Sequence, residues 1–341
     1  CALPIYPDLM NITDDEKAKS YFRGGTFWYQ YFIGRTPLID PFPNRSFAQA
    51  GQVVSDMRIE FEPDQRGIYN QNPNYLDFRN PTFADNPDIY GLYKLQNLPK
   101  IWGGMMRLFS NFTTNFDNEN IDFIEIMMRV DERRDNGEMY IDLGQISEDV
   151  IPNQELNTED GITTQSPIPN NIIDIGEDVG IDGVDNAAEK NIYPFPLNQE
   201  TDPARDDYFF DFSKAPNEQQ GQDFRFYNNF EGNSRLSETG QTPDREILNQ
   251  NNGQTISLDN SYFTYKVNLD QNPATNPQIV GSGRDGSGWF LYRIPIRRPH
   301  RVTGNPLFSN IQYVRVWFKG GAVKLSIADW RFTGSQWQRS N

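Results

Sequence analysis

The feature that most constrains the fold of this chain is a pair of similar strand-like segments. The first is "NIDFIEIMMRV" (120–130), and the second is "NIQYVRVWF" (310–318). In both segments, alternate residues form an apolar face, which is the pattern of a β-strand with one buried side. A turn and a second alternating stretch follow each segment, so the chain is expected to form antiparallel β-structure at both places.

The two segments align residue by residue. The turn after the first contains Asn136-Gly137, which is a hairpin signal, and the turn after the second is Lys319-Gly320-Gly321. The aligned apolar pairs are Ile124 with Val314, Ile126 with Val316, Met128 with Phe318, Met139 with Val323, Ile141 with Leu325, and Leu143 with Ile327. The first turn is predicted to close an antiparallel hairpin with these residues on its buried face.

Each segment also follows two further strand-like stretches in the same order. These are "DMRIEFEP" (56–63) and "WGGMMRL" (102–108), then "YFTYKVNL" (262–269) and "WFLYRIP" (289–295). The shared order predicts a mainly β protein. Its two jelly-roll-like (galactose-binding-like) antiparallel β-sandwich units would be joined by a long loop-rich segment. The alternative is that any two amphipathic hairpins look alike.

The predicted organisation has four parts. An N-terminal extension covers 1–50, a first β-sandwich unit covers 51–155, an acidic loop-rich connector covers 156–255, and a second β-sandwich unit covers 256–341. This division allows the two units to share strands. The connector is rich in Asn, Asp, Gln, Glu and Pro, and a loop region of that length usually has a function or a stabilising ion.

Composition narrows the class of protein. The chain has 341 residues and a formal net charge of −16. That length suits two ordinary domains or one large all-β unit, and 13% aromatic content indicates a packed core. The acidic balance argues against nucleic acid as a partner, because such binding needs basic surface. No stretch approaches the roughly 18–20 apolar residues of a membrane-spanning helix, so the chain is expected to be soluble.

The connector contains one pattern with a chemical meaning, "DVGIDGVDNAAE" (178–189). Calcium prefers several oxygen ligands from a tightly turning loop, and the EF-hand loop spaces them at positions 1, 3, 5, 7, 9 and 12 with Gly at position 6. The predicted Ca²⁺ ligands are Asp178, Asp182, Val184, Asn186 and Glu189. Gly180 supplies no side-chain ligand at position 3, so the alternative is an acidic loop that binds no ion tightly.

Catalytic patterns are poorly represented. The single histidine, His300, has no cysteine partner, whereas nucleophilic catalysis needs a positioned base. The 47 acidic residues make carboxylate pairs inevitable, and nothing selects one pair for glycan hydrolysis. The prediction is a protein that is not an enzyme, with a glycan-active enzyme as an alternative.

Two features leave a surface-lipoprotein alternative open. Cys1 is either the point at which a longer chain was cut or the acylated first residue of a processed lipoprotein. The tryptophans could stack on sugars, as in carbohydrate-binding modules. However, Trp102, Trp289, Trp317 and Trp330 lie in strand contexts, where packing is the favoured interpretation.

Several segments, in order, resemble the central region of the SprA (Sov) family, the outer-membrane translocon proteins of the type IX secretion system of Bacteroidetes. The most specific segments are "WGGMMR" (102–107) and "LGQISEDVI" (143–151). The others are "PDQRGIYNQNP" (63–73), "NIDFIEIMM" (120–128), "GEDVGIDG" (176–183), "YFTYKVNL" (262–269), "IPIRRP" (294–299), "NIQYVRVWF" (310–318) and "LSIADWRF" (325–332). The similarity spans about residues 57–337.

The resemblance implies a non-enzymatic role in protein export and gliding motility. Proteins of this family form a very large barrel in the outer membrane, and soluble segments inserted between its strands cover the external end of the pore. The expected partners are the remainder of the SprA barrel, a PorV-type shuttle protein, a plug protein and secreted cargo proteins. This chain would then be an internal segment of the extracellular cap at the cell outer membrane.

Overall fold

The computed structural model describes most of the predicted strands. The described residues are 22–30, 36–45, 51–70, 98–109, 114–151, 153–160, 168–177, 179–193, 197–204, 206, 248 and 255–334. The strands are β1 (Gly24–Gln30), β2 (Thr36–Pro37), β3 (Val53–Val54), β4 (Met57–Arg66), β5 (Trp102–Leu108), β6 (Ile121–Arg133), β7 (Glu138–Gln145), β8 (Ser261–Val267), β9 (Ile279–Ser282), β10 (Phe290–Pro295), β11 (Arg301–Thr303), β12 (Tyr313–Lys319) and β13 (Val323–Gly334). Within the described residues, the helices are α1 (Asn186–Ile192) and two short 3₁₀ turns at Leu98–Lys100 and Leu197–Gln199.

The strands form two large antiparallel sheets. One sheet has six strands in the order β1-β4-β13-β6-β10-β9, the other has five in the order β11-β8-β7-β12-β5, and β2 and β3 form a small separate pair. Without the edge strands β1, β9 and β11, each sheet keeps four strands, in the orders β4-β13-β6-β10 and β8-β7-β12-β5. This is the topology of a jelly roll. The predicted mainly β, jelly-roll-like architecture is therefore confirmed.

The two similar sequence segments lie in different halves of this jelly roll. The first half places β4 and β6 in the six-stranded sheet and β5 and β7 in the five-stranded sheet. The second half places β8 and β12 in the five-stranded sheet and β10 and β13 in the six-stranded sheet. The repeated strands β6 and β12 therefore lie in opposite sheets, and the two predicted units share both sheets.

Each repeated strand pairs with a strand of the other half. In the six-stranded sheet β13 pairs with β6, and in the five-stranded sheet β12 pairs with β7. The predicted hairpin of β6 with β7 is wrong, because its turn joins strands of different sheets. A hairpin signal specifies a tight turn, whereas sheet membership depends on which faces must be buried together.

The core lies between the two sheets and contains the aligned apolar residues of both halves. The buried members predicted from the alternation are Ile124, Ile126, Met128, Met139, Ile141, Leu143, Val316, Phe318, Val323, Leu325 and Ile327, with Val314 packed against them. Phe61 of β4 stacks on Phe318 of β12 across the interface, with ring centres 5.9 Å apart. The period-2 prediction of the buried face is therefore confirmed.

β1 extends the fold beyond the predicted sandwich boundary. Its residues belong to the predicted N-terminal extension, but they pair with β4 at the edge of the six-stranded sheet, with Trp28 opposite Ile59. Phe27 is buried. The sandwich therefore includes residues that the sequence pattern left outside it.

Candidate metal centre

The acidic loop predicted from the sequence lies beside the chain that leaves β4. Ile181 is buried with Tyr69 and Ile151, and its N–H donates to the Tyr69 hydroxyl at 3.1 Å. The neighbouring Gly180 N–H donates to Oε1 of Glu159, also at 3.1 Å. An apolar contact and two hydrogen bonds thus position this loop before any ion is considered.

Helix α1 begins directly after the loop because Asp185 caps it. Asp185 has extended backbone geometry, and its Oδ1 accepts the N–H groups of Ala187 and Ala188 at 2.8 and 2.9 Å. Such a cap satisfies donors that would otherwise have no partner in the first helical turn. The helix then places Asn186 and Glu189 on the same side, since residues three apart are neighbours on a helix surface.

Three carboxylates meet beside this helix. Asp182, Glu189 and Asp206 each offer one oxygen, and the three oxygens all lie within 4.8 Å of one another. Glu189 and Asp206 are each only 1% exposed, and Asp182 is half-buried. Glu189 Oε2 also accepts the Ala204 N–H at 3.2 Å. The cluster therefore joins the loop, the helix and the later segment that carries Asp206.

Gly180 makes room for one of these carboxylates. Its φ is +83°, in the left-handed region that favours glycine. A Cβ atom at this position would lie 2.6 Å from Cγ of Asp206. Gly180, at position 3 of the EF-hand-like pattern, thus supplies no ligand. It leaves room for the carboxylate of Asp206, which comes from a distant segment.

Tyr193 follows α1 and lies near the three carboxylates. Its side chain is 5% exposed, and its hydroxyl has no hydrogen-bond partner within the described part of the chain. Burial raises the pKa of Tyr193 well above its ordinary value. The negative charge of Asp182 raises this pKa further, as do Asp206 and Glu189, while Arg66 opposes them. The phenol therefore stays protonated and remains a hydrogen-bond donor.

Arg66, the last residue of β4, ties this region to the sandwich. Its Nη1 donates to the Asn70 carbonyl at 2.7 Å, and its Nη2 donates to the Pro203 carbonyl. The guanidinium carbon lies 5.9 Å from the centre of the Tyr193 ring, and Nη2 lies 3.8 Å from Oε2 of Glu200. Arg66 thus holds the segment before Asp206 against the end of β4.

The structure brings together two of the five predicted calcium ligands, Asp182 and Glu189. Asn186 is the first residue of α1, and Val184 donates its N–H to Oδ1 of Asp182 at 2.9 Å. Asp178 lies outside the described residues.

Sequence reasoning missed Asp206. This residue belongs to the short acidic stretch "DPARDD" (202–207), which matches no ligand spacing. In a chain with 47 acidic residues, composition alone could not select it. The signal that could have pointed to it is Gly180, because an EF-hand loop would have a ligand at that position.

Two buried carboxylates on the sheets are ion-paired. Asp142 is fully buried and accepts a hydrogen bond from Nε of Arg315 at 2.9 Å. Glu125 is 4% exposed and accepts hydrogen bonds from Nε of Arg293 and Arg331, at 2.7 and 3.0 Å. Both acids bridge neighbouring strands on the outer faces of the sheets, so their charges have a structural explanation.

The remaining sequence candidates are accounted for by packing or exposure. His300 is exposed, and its ring centre lies 6.1 Å from that of Tyr140. Trp102, Trp289 and Trp317 are buried, and Trp330 packs against the core. The packing interpretation of these tryptophans is therefore confirmed.

Comparison with known families finds no family model that matches this chain, and comparison with curated proteins finds no match. Among the residues that the structure describes, no helix is long and apolar enough to cross a membrane. A functional inference therefore rests on the residues, on their geometry and on the sequence resemblance.

Proposed function

We propose that this chain is a non-enzymatic segment of the extracellular cap of a SprA-type translocon, acting in type IX protein secretion and gliding motility. The strongest support for this proposal is the position, within the fold, of the segments that resemble the SprA family. The Gly-Gly-Met-Met-Arg segment lies in β5, and the Leu-Gly-Gln segment begins in β7. Other family-like segments lie in β6, β8, β12 and β13. The resemblance thus coincides with the framework of one jelly roll.

The proposed role is mechanical and steric. A two-sheet sandwich with a continuous apolar core can cover the outer end of a pore without a chemical step. The net charge of −16 implies an acidic surface, and this surface would resist adhesion to cargo in transit. In this proposal the chain works at the cell outer membrane with the rest of the barrel, a PorV-type shuttle protein and a plug protein.

The carbohydrate-binding lipoprotein alternative has less support. Stacking on sugars needs exposed aromatic faces, but Trp102, Trp289 and Trp317 are 7%, 1% and 1% exposed. Buried indoles contribute to packing and cannot receive a glycan. Cys1, on which the lipoprotein alternative depends, lies outside the described residues.

The test is an epitope tag at Gly286 of the native protein in its host. Gly286 is exposed, and a Cβ added there would meet nothing within 4 Å, so an insertion should be tolerated. We expect the tag to be labelled on intact cells. We also expect the tag to be carried by a very large barrel protein that co-purifies with the shuttle protein from detergent-solubilised outer membranes.

Three results would contradict the proposal. The first is a tag that becomes accessible only after cell lysis. The second is a native N-terminus with a diacylated Cys1, which mass spectrometry would detect and which would favour the lipoprotein. Turnover of a glycan by the purified chain, abolished by one acidic substitution, would instead favour the enzyme.

A further inference from the structure

We propose that Asp182, Glu189 and Asp206 bind one Ca²⁺ ion, with the hydroxyl of Tyr193 donating a hydrogen bond to the ligand shell. The site differs from the linear loop pattern in the sequence, since one of its three carboxylates comes from a separate segment. It does not depend on the translocon proposal.

The spacing of the carboxylate oxygens fits calcium. Two oxygens bound to one Ca²⁺ at about 2.3–2.6 Å can be at most about 5.2 Å apart. The oxygens of Asp182, Glu189 and Asp206 all lie within 4.8 Å of one another. Magnesium binds at about 2.0–2.1 Å and demands near-ideal octahedral geometry, whereas calcium accepts about 6–8 oxygens in a flexible arrangement. A carboxylate set drawn from a loop, a helix and a separate segment therefore favours calcium.

The burial of two of these carboxylates adds an electrostatic reason for a cation. Like charges that are close together and shielded from water repel strongly, and Glu189 and Asp206 are almost fully buried. A divalent ion at the point where the three carboxylate oxygens converge would reduce this repulsion.

Tyr193 is the second, independent indication of a ligand. A buried hydroxyl without a hydrogen bond is costly, and that of Tyr193 has no partner among the described residues. An occupied calcium site would also contain water, which can accept a hydrogen bond. A filled ligand shell therefore gives this hydroxyl a partner.

The donor chemistry selects a hard cation. The three clustered side chains offer carboxylate oxygens and neither sulfur nor imidazole, a set that suits calcium or magnesium and not zinc. The ion would connect Asp182 of the loop, Glu189 of α1 and Asp206 of the later segment. Because Arg66 holds that segment to β4, the ion would fix the described part of the connector against the sandwich.

The experiment is calorimetric titration of the chelator-treated chain with CaCl₂ and, separately, with MgCl₂. We expect one calcium equivalent per chain and weaker binding of magnesium. Asp206→Asn should weaken calcium binding at least about tenfold, because it removes one of three charged ligands. Calcium should also raise the melting temperature of the wild type but not of this variant.

A matched control is Asp185→Asn. It removes one negative charge from the same loop, but asparagine is as good a helix cap as aspartate, so calcium affinity should stay within about twofold. Glu189→Gln is a second test variant, because glutamine can still accept the Ala204 N–H bond and so favours folding. Circular dichroism would check the fold of each variant.

Three outcomes would overturn the proposal. The wild type could show no heat and no thermal stabilisation at millimolar calcium. Asp185→Asn could lose as much affinity as Asp206→Asn, which would indicate a diffuse acidic surface. Magnesium could bind as tightly as calcium, which would contradict the assignment of the ion.

Discussion

Asp142 shows how a single buried charge depends on strand register. It lies directly opposite Arg315 in the pairing of β7 with β12, and the Arg315 Nη2 lies 2.8 Å from its Oδ2. Thr264 of β8 donates its hydroxyl to Oδ1 of Asp142 at 2.6 Å. The Asp142 side chain is fully buried and that of Arg315 is 12% exposed, so water and salt screen this pair little.

We expect Asp142→Ala to lower the free energy of unfolding by about 3–5 kcal/mol, because it leaves Arg315 buried without its carboxylate. Urea denaturation would measure the change. The control is Asp117→Ala, which removes an exposed ion pair with Arg297 and should cost about 1 kcal/mol or less. A double variant, Asp142→Ala with Arg315→Leu, should recover part of the loss. Equal effects of the two single variants would contradict this account.

At the scale of elements, the two repeated turns pack against each other at one end of the sandwich. Asp135 and Asn136 have φ values of 49° and 57°, and the Gly137 N–H donates to the Arg134 carbonyl at 3.0 Å. The Arg134 N–H in turn donates to the Ala322 carbonyl at 2.9 Å. The turn of one half of the jelly roll is thus bonded directly to the turn of the other half.

Gly321→Ala should disrupt this contact. A Cβ at Gly321 would collide with the Arg134 carbonyl and lie 2.7 Å from the Asp135 carbonyl carbon. Since backbone atoms cannot move aside cheaply, we expect a loss of about 1–3 kcal/mol, as for other overpacked sites. The measurement is the denaturation midpoint in urea.

Gly281→Ala is the control for this prediction. Its added Cβ would make an ordinary contact of 3.5 Å with Leu291, so we expect a change of about 0.5 kcal/mol or less. A Gly321→Ala variant as stable as Gly281→Ala would show that the two turns can separate without cost.

These elements also show how far the sequence could be interpreted. The alternation in β6 and β12 correctly identified their buried faces, because period-2 patterning is local. The Asn136-Gly137 signal correctly located a tight turn, although its two left-handed residues are Asp135 and Asn136. The predicted pairing of β6 with β7 was wrong, because a local sequence pattern does not specify which strand will pair with which.

At the scale of the whole molecule, neither half of the jelly roll has a complete sheet of its own. β13 of the second half lies between β4 and β6 of the first half, and β7 of the first half lies between β8 and β12 of the second. Each half alone would therefore expose unpaired strand edges and half of an apolar core.

We expect the described sandwich to unfold in one cooperative transition, and chains 51–155 and 256–341 expressed separately to show no cooperative unfolding. Mixing the two should restore strand content, because each supplies the neighbours that the other lacks. Circular dichroism with thermal denaturation would measure both. A cooperative transition from either half alone would show an independent domain and contradict this expectation.

The sequence by itself determined the eight strands of the jelly roll, their buried faces, their order and the acidic loop, because all of these follow from patterns within a few residues. Only the tertiary structure decided that the two similar segments share one sandwich and that Asp206 joins Asp182 and Glu189. Those outcomes depend on contacts between distant parts of the chain, where the need to bury both apolar faces together selects the partners. The sequence of a strand shows which of its faces must be buried, and the tertiary structure determines which residues bury that face.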